Sequence, residues 1–134
     1  CPVSRTLYFG EPAAKYRAIE SVIGESIELL LPLFKPGNTC GELAQKFFTH
    51  LHKHGYEKNN RCGYSIGMSY PPDWGERTMS LRAHDQTILQ TGMCFHFMPG
   101  MWFDDWGFEM TESITVTEQG GLCLANVPRQ LLVK

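Results

Sequence analysis

The sequence predicts an α+β fold, and three observations carry that expectation. Two stretches with apolar residues at a 3.6-residue period come first. Two stretches that alternate at a period of two follow in the second half. The order is strand, helix, helix and then strands, with no helix returning between the later strands as a parallel sheet requires. The expected architecture is two helices packed on one face of a curved, mainly antiparallel sheet.

Thr6 to Phe9 reads as a short strand closed by Gly10. Pro12 opens a helix at a first-turn position, where its missing N–H matters least. Tyr16, Ile19, Val22, Ile23, Ile27, Leu30 and Leu31 then keep the helical period as far as Phe34. Lys35-Pro36-Gly37-Asn38 ends that helix. Thr39 and Glu42 form a capping-box pattern for a second helix, Cys40 to His54, with Leu43, Phe47, Phe48 and Leu51 on one side. Tyr16, Ile23, Leu30, Leu43, Phe47 and Leu51 are expected in the core. Gly63 to Met68 and Thr78 to Leu81 read as strands around a rigid loop, Pro71 to Glu76. Met93 to Met98 and Glu109 to Thr117 read as paired strands joined through Asp104-Asp105-Trp106-Gly107.

Composition narrows the function classes. A chain of 134 residues that is 43% hydrophobic and 19% charged is one globular domain rather than a disordered segment. Its net charge of −2 gives no basic stripe, which disfavours a nucleic-acid partner. The longest apolar run, from Ile27 to Phe34, contains Glu28 and Pro32 and falls short of the roughly 18 residues of a membrane span. Cys1, Cys40, Cys62, Cys94 and Cys123 are scattered without a C-x-x-C pair, so neither a disulfide framework nor a thiolate zinc site is expected. A reduced, cytoplasmic protein is the expectation. The chain opens on Cys1-Pro2 without Met and almost directly in a strand, which reads as a fragment of a longer protein.

Several groups of residues invite a chemical reading. His50, His52 and His54 suggest a metal cluster, but only His50 and His54 share a helical face, and no carboxylate lies near them on it. Histidines near a helix C-terminus are the plainer reading. Asp104 and Asp105 point to opposite sides of an extended segment and read as turn chemistry. Trp74, between Asp73 and Glu76 in a proline-stiffened loop, suits a cationic group. The two alternating strands give the best constellation. Cys94, His96 and Met98 share one face of the first, and Glu109, Thr111, Ser113, Thr115 and Thr117 share one face of the second. Glu112 is expected on the opposite side.

Four segments stand in an order and spacing that carry a resemblance: Ser4-Arg5-Thr6 with Gly10; Gly63-Tyr64-Ser65-Ile66-Gly67; Thr91-Gly92-Met93 with Pro99-Gly100; and Val116-Thr117-Glu118-Gln119-Gly120. The chain resembles the C-terminal catalytic domain of the pita-bread superfamily, which includes methionine aminopeptidase, prolidase, aminopeptidase P and creatinase. The likeness runs along nearly the whole chain and covers little more than half of that domain. Residues 1–134 are therefore expected to be a single, N-terminally truncated catalytic domain with a partial pita-bread fold.

The resemblance implies that peptidases of this superfamily hold two divalent metals with two Asp, one His and two Glu. Residue by residue, the second Asp falls on Pro2, the His on Tyr64, the first Glu on Met98 and the second Glu on Thr111. Pro offers no side-chain donor and Met is a poor ligand for hard ions, so no metal and no cofactor is expected. A stripped metal site resembles the creatinase-like branch, which hydrolyses C–N bonds of small amidine-type molecules. Gly63 to Gly67, Pro71 to Glu76 and Pro128-Arg129-Gln130-Leu131 look most like its ectoine-hydrolase group.

What this implies is a metal-independent hydrolase of a small cyclic amidine zwitterion, homodimeric as is common in the superfamily. The alternatives are an Xaa-Pro dipeptidase-type metallopeptidase and a non-catalytic ligand-binding relative. His96 and Glu109 are the expected acid–base or catalytic groups. Tyr64, Trp74, Met98, Thr111 and Arg129 are the expected substrate contacts, with Arg129 as donor to a carboxylate. Tyr64, His96, Met98, Glu109 and Thr111 are expected to line one concave surface.

Overall fold

A computed structural model describes residues 2–69, 72 and 75–134, of Glu76 the backbone alone. Trp74, with the loop segment around it, lies outside the described residues. The chain runs β1 (Leu7–Tyr8), α1 (Ala14–Leu30), a 3₁₀ turn (Leu31–Leu33), α2 (Cys40–Lys53), β2 (Gly63–Ile66), β3 (Gly75–Ser80), β4 (Cys94–Phe97), β5 (Met101–Trp102), β6 (Gly107–Phe108), β7 (Glu112–Thr117), β8 (Gly120–Cys123) and β9 (Leu132–Val133). Five strands form an antiparallel sheet in the order β3-β2-β4-β7-β8. A short parallel pair, β1 with β9, is separate from it.

Each helix ends where local chemistry dictates. α1 tightens into the 3₁₀ turn at Pro32, whose ring cannot continue an α-helix, so the regular helix stops short of Phe34. α2 starts at the capping box: the Glu42 amide donates to Thr39 Oγ1 at 3.2 Å, and the Thr39 amide to Glu42 Oε2 at 2.7 Å. Its first turn packs so tightly on the 82–88 loop that a Cβ at Gly41 would lie 2.9 Å from the carbonyl oxygens of both Ala83 and Asp85.

Both helices cover one face of the sheet. Ile23, Leu30, Leu43, Phe47 and Leu51 are fully buried, as expected. Tyr16 is half-buried, edge-on against Tyr8 and Trp106 at the end of the core. Phe34 and Phe47 from the helical layer meet Phe95 and Phe97 of β4, with ring centroids 5.5 to 6.1 Å apart. Among the described residues β3 begins at Gly75, earlier than the expected strand, and β5, β6, β8 and β9 are additions to the sequence reading.

One register governs the centre of the molecule. Phe97 faces Glu112 in the β4–β7 ladder, and Met101 faces Phe108 in the β5–β6 ladder. The two ladders are thus one interrupted hairpin, in which Met98 stands opposite Thr111 and Gly100 opposite Glu109. Phe95, Phe97, Met101, Phe108, Met110, Glu112, Ile114 and Val116 point to the helices and are buried. His96, Met98, Glu109, Thr111 and Ser113 occupy the other face.

Candidate functional site

The helix-free face carries a transverse row: Tyr64 of β2, His96 of β4 and Ser113 of β7 are direct cross-strand partners. The Tyr64 hydroxyl lies 2.9 Å from His96 Nδ1, and the two rings meet edge to face at 87°. His96 is only 5% exposed, and among the described residues its Nε2 has no hydrogen-bond partner. Burial pushes its pKa down to about 4, so the ring is neutral at pH 7. The Arg61 guanidinium carbon sits 4.6 Å from the centre of the Tyr64 ring, bringing a positive charge to this row.

The N-terminal segment lies across the same face. Ser113 Oγ donates to the Pro2 carbonyl at 2.7 Å. The Ser4 amide donates to Thr111 Oγ1 at 2.8 Å, and the Thr111 amide to the Ser4 carbonyl at 3.0 Å. Thr111 is buried and its hydroxyl serves this pairing. Met98 is half-buried, its amide on the Cys62 carbonyl at 2.7 Å.

Further along the hairpin stands Glu109. Its amide donates to Thr6 Oγ1 at 2.7 Å and its carbonyl accepts from that hydroxyl at 2.9 Å, so one threonine fixes its backbone. Lys58 is the neighbour that sequence reasoning missed. Its Nζ donates to the Gly100 carbonyl at 2.6 Å and lies 4.5 Å from the centre of the Trp102 ring. Burial pulls the Lys58 pKa down to about 8, against the opposing pull of the Glu109 carboxylate. His96 and Glu109 are four rungs apart on the hairpin, about 13 Å at the usual strand rise. Met98 and Thr111 fill the space between them.

Arg129 is not part of this group. Its Nε donates to Glu112 Oε1 at 3.2 Å, its Nη2 to Cys123 Sγ at 3.4 Å, and its Nη1 to Glu28 on α1. All three partners belong to the helix side. The Arg5 guanidinium meets the same Glu112 oxygen at 2.5 Å and also binds the carbonyls of Ser4, Thr111, Val127 and Pro128. Glu112 is 1% exposed and faces away from His96, as strand parity requires. Trp106 stacks on Phe103 at 4.4 Å near α1, away from the row. The missing signal was tertiary: Lys58, Arg61 and Arg129 reach partners across distant segments that no local pattern links.

Two helices backing one face of a five-stranded antiparallel sheet define the class: the pita-bread fold. The chain belongs to metallopeptidase family M24, whose model matches residues 1–118. It is 54% identical, over 99% of its length, to the ectoine hydrolase of Halomonas elongata, and covers 34% of that protein. It is 44% identical over 99% of its length to an uncharacterised hydrolase/peptidase of Sinorhizobium fredii, again covering 34% of it. A dipeptidase from Mycobacterium ulcerans superposes with a TM-score of 0.86 at 25% identity, over 98% of this chain and 35% of that one. The chain therefore spans about a third of the length of these relatives.

The family name implies metal ions, and at the four positions to which the resemblance assigns peptidase ligands the donors do not fit a bridged pair. Pro2 has no donor, the Met98 thioether is soft, the Thr111 hydroxyl is occupied by the Ser4 amide, and the Tyr64 hydroxyl is held at His96. No carboxylate stands at any of the four.

Proposed function

We propose that the protein containing this chain hydrolyses a C–N bond of a small cyclic amidine zwitterion of the ectoine type, and does so without a catalytic metal ion. The observation that carries the reading is the substitution of all four accessible ligand positions by Pro2, Tyr64, Met98 and Thr111, with the two hydroxyls committed to protein partners. The identity of 54% with an ectoine hydrolase supports the substrate class.

Such a substrate has a delocalised cation at one end and a carboxylate at the other. The open face offers a matching polarity over Met98 and Thr111. Glu109 and the Trp102 ring suit the amidinium, and Arg61 takes the role the sequence gave to Arg129, donor to the carboxylate. Lys58, held on the Gly100 carbonyl and over the Trp102 ring, occupies the place that such a cation would take. Hydrolysis adds water at the amidine carbon and breaks one ring C–N bond, leaving an amide and an amine. His96 Nε2, neutral and buried, is suited to hold or move a proton in that step. Tyr64 fixes the orientation of its ring, and Trp74 remains a candidate substrate contact from the loop before β3. The same reading places the protein in the cytoplasm as a homodimer.

The test is a side-by-side assay of the full-length protein with ectoine, creatine and an Xaa-Pro dipeptide. Ring opening of ectoine alone supports the proposal. Cleavage of the dipeptide favours the peptidase reading, and turnover of none with retained ligand binding favours a non-catalytic relative.

A further inference from the structure

On the outer side of the helical layer, away from the sheet face just described, three side chains from two helices meet. His50 and His54 are one turn apart on α2, with ring centroids 4.8 Å apart. Glu25 of α1 faces both, its Oε2 4.0 Å from His50 Nε2 and 4.0 Å from His54 Nε2. One donor atom of each residue lies within 4.8 Å of the donor atoms of the other two.

We infer that Glu25, His50 and His54 form a binding site for a divalent first-row transition ion of the imidazole-preferring class, represented by Ni²⁺, Zn²⁺ or Cu²⁺. Two imidazoles and one carboxylate are the donor set such ions take, with the remaining positions left to water. Metal–nitrogen and metal–oxygen bonds of about 2.0–2.2 Å put tetrahedral ligands about 3.4 Å apart. The two 4.0 Å separations therefore need to close by about half an ångström, and the His50–His54 pair, within 4.8 Å, by up to about 1.4 Å, which side-chain rotation can supply.

Two further features favour the site and one competes with it. Ser21 Oγ donates to Glu25 Oε1 at 3.0 Å, which leaves Oε2 as the oxygen turned to the rings. The Val22 carbonyl, 3.1 Å from His50 Nε2, accepts from the inner ring and competes with an ion for that nitrogen. Both histidines lie at the C-terminal end of α2, where the helix dipole favours a cation. Coordination through His50 Nε2 gives up the bond to Val22, and Glu25 and His54 are substantially exposed, so the affinity belongs in the micromolar range rather than the range of a buried structural zinc. The site spans α1 and α2, and an ion in it cross-links the two helices without touching the catalytic face.

The experiment is isothermal titration of chelator-stripped full-length protein with Ni²⁺, comparing wild type with His54→Ala, Glu25→Gln and His52→Ala. His54 and Glu25 are exposed enough for both variants to fold, and His52 is an exposed neighbour on the same helix outside the cluster. The expected result is saturable micromolar binding, weakened at least about tenfold by His54→Ala and severalfold by Glu25→Gln. His52→Ala should leave it unchanged. The Co²⁺ form should show visible d–d bands without thiolate charge transfer. Absence of saturable binding overturns the assignment. So does binding that either cluster variant leaves intact, or that His52→Ala weakens equally.

Discussion

The Tyr64 hydroxyl and His96 Nδ1, on adjacent strands in direct register, lie 2.9 Å apart. This contact satisfies one nitrogen of a buried imidazole. Tyr64→Phe removes it while keeping the ring that Arg61 covers. Loss of a partner for a buried polar group costs about 1–3 kcal/mol. Denaturant unfolding at pH 7 should show that loss, together with a fall in kcat for the hydrolysis. A variant as stable and as active as wild type contradicts the role given to the pair.

His96 also makes stability depend on pH. Burial lowers its pKa from 6.5 to about 4, so between these values the unfolded chain binds a proton that the folded chain refuses. Stability therefore rises with pH across that window and falls as pH drops from 6.5 towards 4. The slope contributed by one such group is at most about 1.4 kcal/mol per pH unit. Unfolding free energies at pH 4.5, 5.5, 6.5 and 7.5 should be flatter in His96→Gln than in wild type. Equal slopes in the two proteins refute the assignment.

Glu112 is the anchor of the opposite face. Removing a buried carboxylate that serves both Arg5 and Arg129 leaves uncompensated charge and costs about 3–5 kcal/mol. Glu112→Ala should therefore lower the thermal midpoint strongly while leaving the activity per folded molecule near wild type. A stable variant with lost turnover would instead move Glu112 into the site.

Gly41 tests the packing of α2 on the 82–88 loop. A methyl group there meets two backbone oxygens at 2.9 Å, and neither is the end of a flexible side chain. Gly41→Ala should cost about 1–3 kcal/mol despite the better helix propensity of alanine. A neutral or stabilising result shows that the loop yields.

Features written in short-range patterns were legible in the sequence. Thr39 and Glu42 cap α2 as their three-residue spacing requires, and the period of two puts His96 and Glu112 on opposite faces. Short elements were not legible: β8 contains two glycines and β9 only two residues, so neither carries a periodic signal. Contacts between distant segments were equally hidden. Arg129 looks like a free donor until Glu28, Glu112 and Cys123 are brought around it. His50 and His54 lacked a carboxylate only while their own helix was considered, because Glu25 arrives from α1.

Hydrolysis on the sheet face is proposed to need no metal ion. Its most direct measurement is the rate of ectoine ring opening by the full-length protein after dialysis against a strong chelator, with metal content determined on the same sample. The rate should be unchanged at sub-stoichiometric metal, since an ion lost from the Glu25–His50–His54 cluster lies away from the sheet face proposed to bind substrate. Activity that disappears with the chelator and returns with added Mn²⁺, Co²⁺ or Zn²⁺ would contradict it.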